Sequence, residues 1–283
     1  NEAQQTEVKE AALPVGLQLY TVRGDMEKDF KGTLQKVKEL GYDGVEFAGL
    51  FGNAPADVKA MCAEIGLNPI SAHVPLQEML EDIDKVIADY KAIGCEYIVV
   101  PYVTEERRPG GDKFMQMVEE IRTIGQKCKE AGLVLLYHNH DFEFKQIDGQ
   151  TIYDAMLENS SPDHIMFQMD VYWVMRGGVD IYEVIEKIKG RVQCVHFKDH
   201  SVISDGKGFY TNIECACGDG TLNFLKIFKQ VKKAGAKYII VEQDNAALLP
   251  DTLGEVKKSI IYLKNLFLHF LQFYIVLFFL VLL

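Results

Sequence analysis

Paired cysteine spacing is missing from this sequence. Its six cysteines, Cys62, Cys95, Cys128, Cys194, Cys215 and Cys217, are scattered through 283 residues, and Cys215-Ala-Cys217 is not the spacing that zinc or redox motifs use. Lying mostly inside helix and strand patterns, they read as small buried hydrophobes in a reducing compartment, which argues against a disulfide scaffold. Nucleotide loops are missing too: no GxGxxG follows the first strand pattern and no GxxxxGK[ST] occurs anywhere. Basic charge is in short supply, with 30 Lys and Arg against 41 Asp and Glu, a formal charge of -11 and a pI near 5.2. The basic residues are scattered, so no groove for a phosphate backbone is evident and nucleic acid is not an expected partner.

Long apolar runs are absent until the very end. From Leu266 to Leu283, "LFLHFLQFYIVLFFLVLL" is broken only by His269 and Gln272 and is about the length that spans a thin bilayer. It reads as a tail anchor, as translated non-coding sequence or as a helix packed on its neighbours. The opening "NEAQQTEVKEAA" is polar and linker-like. The expected division is therefore a polar linker over 1–13, one domain over 14–265, and a tail over 266–283. A cytoplasmic location is expected, with an exported or tail-anchored form as the alternative, and a membrane partner only if the tail is an anchor.

What the chain does have is alternation. Eight strand-like runs, "VGLQLY", "YDGVEF", "NPISAH", "YIVVPY", "LVLLYHNH", "HIMFQMD", "VQCVHFKD" and "YIIVEQD", are separated by amphipathic helical stretches such as "FKGTLQKVKEL" and "FLKIFKQVKKA". Five helix-to-strand junctions, "KELGYDGVE", "AEIGLNPIS", "KAIGCEYIV", "KEAGLVLLY" and "KKAGAKYII", place a glycine where a left-handed cap turns the chain back to the sheet. Eight strand–helix units with short returns predict a single-domain α/β fold, the (β/α)₈ TIM barrel.

Such a barrel carries its chemistry at the carboxyl ends of its strands. The fifth run ends in His138 and His140, the sixth in Gln168 and Asp170, the seventh in His196 and Lys198, and the eighth in Glu242 and Asp244. Spacing by two sends both members of a pair to one side. Strand ends are often polar because loops begin there, but imidazoles and carboxylates from four consecutive strands form a donor set for a divalent metal with positions left for substrate. The earlier strands add Glu46 and His73. Trp173, the one tryptophan, follows Asp170 closely enough to wall a pocket against a sugar face. The glycine-rich "SDGKGF" and "CGDGTL" read as turns, because Asp205 and Asp219 oppose a phosphate there.

These runs, with "GYDGVEF", "SAHVP", "YHNHDFEF", "FQMDVYWVMRGGVD", "VHFKDH" and "VEQD" as the most specific, resemble the xylose-isomerase-like barrels of the sugar phosphate isomerase/epimerase type, from Gly16 to about Asn265. The resemblance implies metal ligands at Asp170, His196 and Glu242. The fourth departs from the family, because ketose epimerases carry a glutamate where this chain offers His138 or His140. We expect His140 on the metal and His138 as acid/base. Glu242 is expected to be both ligand and base, with Lys198 as a further catalytic group, a second base if desolvation lowers its pKa. Glu46, His73, Glu143 and Trp173 are expected near substrate. The expected cofactor is a divalent ion, Mn²⁺ first, with Co²⁺, Fe²⁺, Zn²⁺ or Mg²⁺ as alternatives. The expected partner is a sugar or keto-sugar, and a homo-oligomer is compatible with the sequence. The implied activity is a sugar isomerase or epimerase that removes a proton next to a carbonyl. The alternative is a keto-sugar or keto-inositol dehydratase or lyase, favoured by the missing glutamate. A metal-dependent endonuclease and a non-catalytic sugar-binding protein are the remaining readings.

Overall fold

In the computed structural model, residues 12–108, 110–147 and 149–281 are described, with side chains described as far as residue 268. Eight parallel strands close into a barrel: β1 (Val15–Gln18), β2 (Gly44–Phe47), β3 (Asn68–His73), β4 (Tyr97–Val100), β5 (Val134–His138), β6 (Met166–Asp170), β7 (Val192–Phe197) and β10 (Tyr238–Val241), with β10 pairing β1. The (β/α)₈ expectation is met. A short antiparallel hairpin, β8 (Asp199–Ser204) and β9 (Tyr210–Cys215), leaves the barrel between β7 and the last strand.

The helices are α1 (Arg23–Lys28), α2 (Phe30–Leu40), α3 (Pro55–Ile65), α4 (Leu76–Ile93), α5 (Phe114–Glu130), α6 (Ile152–Asn159), α7 (Val171–Arg176), α8 (Ile181–Lys187), α9 (Phe224–Ala234) and α10 (Thr252–Val281). Parallel strands covered on both faces must be apolar along their length, and β1, β2 and β4 are buried at every residue. Outward side chains such as Val45, Ile98, Tyr137 and Val195 join helix residues such as Leu34, Ile121 and Phe228 in the main core. Gly41 ends α2 at φ 106°, the left-handed conformation that only glycine adopts without strain, and the chain turns there into β2.

The barrel interior is a second, smaller core of Ile70, Tyr97, Val99, Leu136, Met166, Cys194 and Ile240. Close packing at this layer requires glycine at two strand positions, because a Cβ on Gly16 or on Gly44 would come within 2.7 Å of the Ile70 Cδ1. Apolar filling thus plugs the floor of the barrel. Alternation then stacks the polar inward residues above it, towards the carboxyl ends of the strands. The six cysteines are free thiols, five of them buried, in line with the hydrophobe reading.

Candidate active site

The inward positions above the apolar floor carry His138 from β5, Asp170 from β6, His196 from β7 and Glu242 just past β10. One potential ligand atom from each lies within 4.8 Å of all the others, and all four residues are buried. Strand register brings them together, since Asp170 pairs with His196 and Ile240, two residues before Glu242, pairs with the same His196. Asp170 is held from two sides. Its Oδ1 accepts from Trp173 N at 2.9 Å, capping α7, and its backbone N donates to Asn139 Oδ1 at 3.0 Å. Asn139 also donates through Nδ2 to the Asp170 carbonyl at 3.2 Å. The middle residue of "HNH" therefore ties β5 to β6, while its neighbours on each side face the site.

The donor chemistry fits a divalent cation. Both ring nitrogens of His138 and the Oδ2 of Asp170 are buried without a hydrogen-bond partner among the described residues, a costly state for polar atoms. His138 stays neutral, as a ligand must, because burial and the neighbouring His196 and His73 hold its pKa well below the ordinary value. Burial opposes charge on Glu242, but Lys198 and His196 outweigh it and hold that carboxyl well below its usual range.

The expected division of the histidine pair is not the one the geometry favours. His138 is the last residue of β5 and sits in the cluster, whereas His140 has already left the strand. Its ring is placed among Tyr102, Phe142 and Trp173, with centroids 5.5, 5.7 and 5.1 Å away. Lys198 also departs from expectation. Burial alone would lower its pKa, but Glu242, Asp170 and Asp244 outweigh that and raise it well above the lysine value, which keeps the ammonium charged. Its Nζ lies 2.9 Å from Glu242 Oε2, 2.8 Å from Asp244 Oδ2 and 5.3 Å from the Trp173 ring centre.

Two residues expected near substrate are closed to solvent. Glu46 has no exposed surface, lies 2.7 Å from His196 Nε2, forms a second group of possible ligands with His73 and His196, and is engaged by side chains of neighbouring strands. Glu143 is also fully buried and accepts from Tyr137 Oη and His140 N, both at 2.8 Å, with burial pushing its pKa up to about 8. It supports the loop rather than facing the mouth. His73 stacks on His196 with ring centroids 5.4 Å apart and bonds Gln168 Oε1 at 2.6 Å. Trp173 stands beside His140 and Lys198, its ring centre 5.1 Å from that of His140 and 5.3 Å from Lys198 Nζ.

Several participants were given no role from the sequence. Gln18, Ser71 and Gln168 surround Glu46, and Glu214 of the hairpin accepts from Asp244 N at 2.6 Å. Gln168 had a signal, its two-residue spacing from Asp170; the others are joined only by long-range contact. The second glycine-rich turn is also explained. The Asp199 carboxylate already accepts from the backbone amides of Gly218, Gly220, Thr221 and Leu222 at 3.0–3.2 Å, so this cradle holds an internal anion.

Comparison with known proteins identifies the family of this barrel. The sequence model of the xylose isomerase-like TIM barrel family matches residues 34–266. The chain belongs to this family. An inosose dehydratase of Geobacillus kaustophilus is 25% identical over 273 residues, covering 84% of this chain and 87% of that protein. One from Clostridium perfringens is 22% identical, covering 84% of this chain and 90% of its own length. Among solved structures, a sugar phosphate isomerase/epimerase of Parabacteroides distasonis superposes with a TM-score of 0.73 at 26% identity, covering 89% of this chain and 93% of that one. This xylose isomerase-like barrel is an enzyme, as its relatives are.

Proposed function

We propose that this barrel holds a divalent cation with His138, Asp170, His196 and Glu242 and removes a proton from the carbon beside the carbonyl of a keto-sugar or keto-inositol, after which the substituent on the next carbon leaves. The observation that carries this reading is the 2.9 Å contact between a buried carboxylate, Glu242, and a buried ammonium, Lys198, at the edge of the four-donor cluster. Base and acid meet at one point. The cation, when bound, supplies a Lewis acid that stabilises negative charge developing on substrate oxygen. Two carboxylates and two imidazoles, with His196 giving up the Nδ1 hydrogen that Glu242 accepts in this structure, would balance its charge and suit Mn²⁺ first, with Co²⁺, Fe²⁺, Zn²⁺ and Mg²⁺ as competitors.

The chain's own groups account for the protons. Glu242 Oε2 is engaged by His196 Nδ1 and Lys198 Nζ, both at 2.9 Å, so the substrate proton goes to Oε1. The C–H electron pair passes towards the carbonyl and then forms the C=C bond as the neighbouring C–O bond breaks. Lys198 Nζ protonates the departing oxygen, and water leaves if that oxygen is a hydroxyl. Neutral Lys198 then recovers a proton from Glu242 across their contact, and both groups return to their starting state. Tyr102, His140, Phe142 and Trp173 form an aromatic wall for a sugar face. Asp170, Glu242 and Asp244 around one lysine favour an uncharged polyol over a phosphate ester.

A second reading, isomerisation or epimerisation, uses the same first step and returns the proton to carbon. The likeness to the Parabacteroides distasonis isomerase/epimerase favours it. Keto-inositols and keto-sugars incubated in D₂O separate the two. Elimination gives a product lighter by water or by a larger substituent, whereas isomerisation keeps the formula and incorporates deuterium. Glu242→Gln lowers either by about 10²- to 10⁴-fold. Full turnover by protein shown to be metal-free, or turnover with neither deuterium uptake nor elimination, overturns the proposal.

A further inference from the structure

Glu46 is the most heavily engaged side chain beneath the site. Its Oε1 lies 2.8 Å from Gln18 Nε2, 2.7 Å from His196 Nε2 and 3.0 Å from His73 Nε2. Its Oε2 lies 2.6 Å from Ser71 Oγ and 2.5 Å from Gln168 Nε2. A carboxylate of this kind only accepts, so each of the five neighbours must present a hydrogen. For His196 this puts a hydrogen on Nε2 and turns Nδ1 to the cluster, 2.9 Å from Glu242 Oε2 and 3.8 Å from Asp170 Oδ2, where it carries the hydrogen that a bound cation would replace.

We propose that Glu46 is a positioning residue that fixes His196 as its Nε2–H tautomer, so that Nδ1 is the atom offered to the cation. Resting on the cation reading given above, this assigns a purpose to a buried charge beneath the four-donor cluster. A hydrogen-bonded carboxylate behind a ligating imidazole fixes ring orientation and makes the free nitrogen a better donor. The four other donors on Glu46 hold the carboxylate still. Gln18, Ser71, Gln168 and His73 come from β1, β3 and β6, so the orientation of His196 is set by the barrel wall and not by the loops at the mouth.

The test uses the full chain with Mn²⁺ and Zn²⁺ as the probes. Titration calorimetry is expected to show Glu46→Gln binding Mn²⁺ about 10- to 100-fold more weakly than wild type. In wild-type protein carrying ¹⁵N-labelled histidine and loaded with diamagnetic Zn²⁺, the His196 spectrum is expected to show a metal-bound Nδ1 and a protonated Nε2. Coordination through Nε2 overturns the inference. So does a Glu46→Gln protein that melts earlier yet keeps its Mn²⁺ affinity, since that marks a structural role alone. If the variant does not fold, the wild-type spectrum decides by itself. Wild-type protein that binds neither ion removes the cation reading and this inference with it, whereas binding by the wrong nitrogen removes only the inference.

Discussion

At the scale of single residues, the two histidines of "HNH" show how two steps along the chain change a side chain's surroundings. His138 closes β5 and is fixed by the barrel; His140 lies beyond it, in a ring of aromatic side chains. We therefore expect His138→Ala to lose bound metal, measured by elemental analysis of purified protein, while His140→Ala keeps its metal and loses substrate affinity, seen as a raised KM. Equal metal content in the two variants would sink the assignment. Strand period marked the polar pairs that end the last four strands, and the family resemblance singled out Asp170, His196 and Glu242 among them. The choice between His138 and His140 was not legible from sequence, because a spacing of two places both on one side and only the end of the strand separates them. Lys198 illustrates the same limit in electrostatics: its pKa is set by Glu242, Asp170 and Asp244, two of them more than forty positions away in the chain.

At the scale of elements, the hairpin links the site to the surface. Glu214 on β9 accepts from Asp244 N at 2.6 Å and, through its carbonyl, from Asn245 Nδ2 at 2.9 Å, and Asp244 in turn holds Lys198 at 2.8 Å. The base of the hairpin is locked by Asp199, whose carboxylate accepts from four amides of the 218–222 turn. Gly218 and Thr221 are exposed and Gly220 and Leu222 half-buried, so water replaces part of what the carboxylate gives and each lost bond costs roughly 0.5–1.5 kcal/mol. Asp199→Ala is expected to lower stability by roughly 3 kcal/mol in urea unfolding and to reduce kcat while metal content stays unchanged. Wild-type stability in that variant would show the turn to be held by other contacts. The sequence reading took "SDGKGF" for a plain turn. The strands on either side of it are short and polar-facing, with Ile203, Phe209 and Tyr210 exposed, so they lack the buried face that makes a strand readable.

At the scale of the whole molecule, α10 seals the barrel. Val256, Ile260, Leu263 and Phe267 are buried, Tyr42 Oη donates to Val256 O at 2.8 Å, and the Phe267 ring lies 4.3 Å from that of Phe228. Packing thus extends past the expected boundary at residue 265. Ending the chain before Leu266 removes a buried phenylalanine and is expected to cost roughly 3 kcal/mol, read as a lower thermal midpoint. Ending it after Leu268 is expected to leave both midpoint and activity unchanged. Identical midpoints for the two truncations would place the boundary where the sequence put it. No helix among the described residues is long and apolar enough to cross a membrane, and side chains from residue 269 onward, which carry most of the anchor reading, lie outside the described residues.

The sequence by itself determined the barrel and the polar pairs at the carboxyl ends of its last four strands, among which the family resemblance pointed to Asp170, His196 and Glu242. Those depend on local rules, namely apolar period, glycine caps and the step of two along a strand, that act over a few residues. Tertiary structure decided which histidine joins the cluster, that Lys198 stays charged, and that Glu46 serves His196 from below. Each of these depends on groups from distant strands meeting in a space closed to water, where a neighbouring charge or a missing hydrogen-bond partner outweighs the intrinsic chemistry of the side chain.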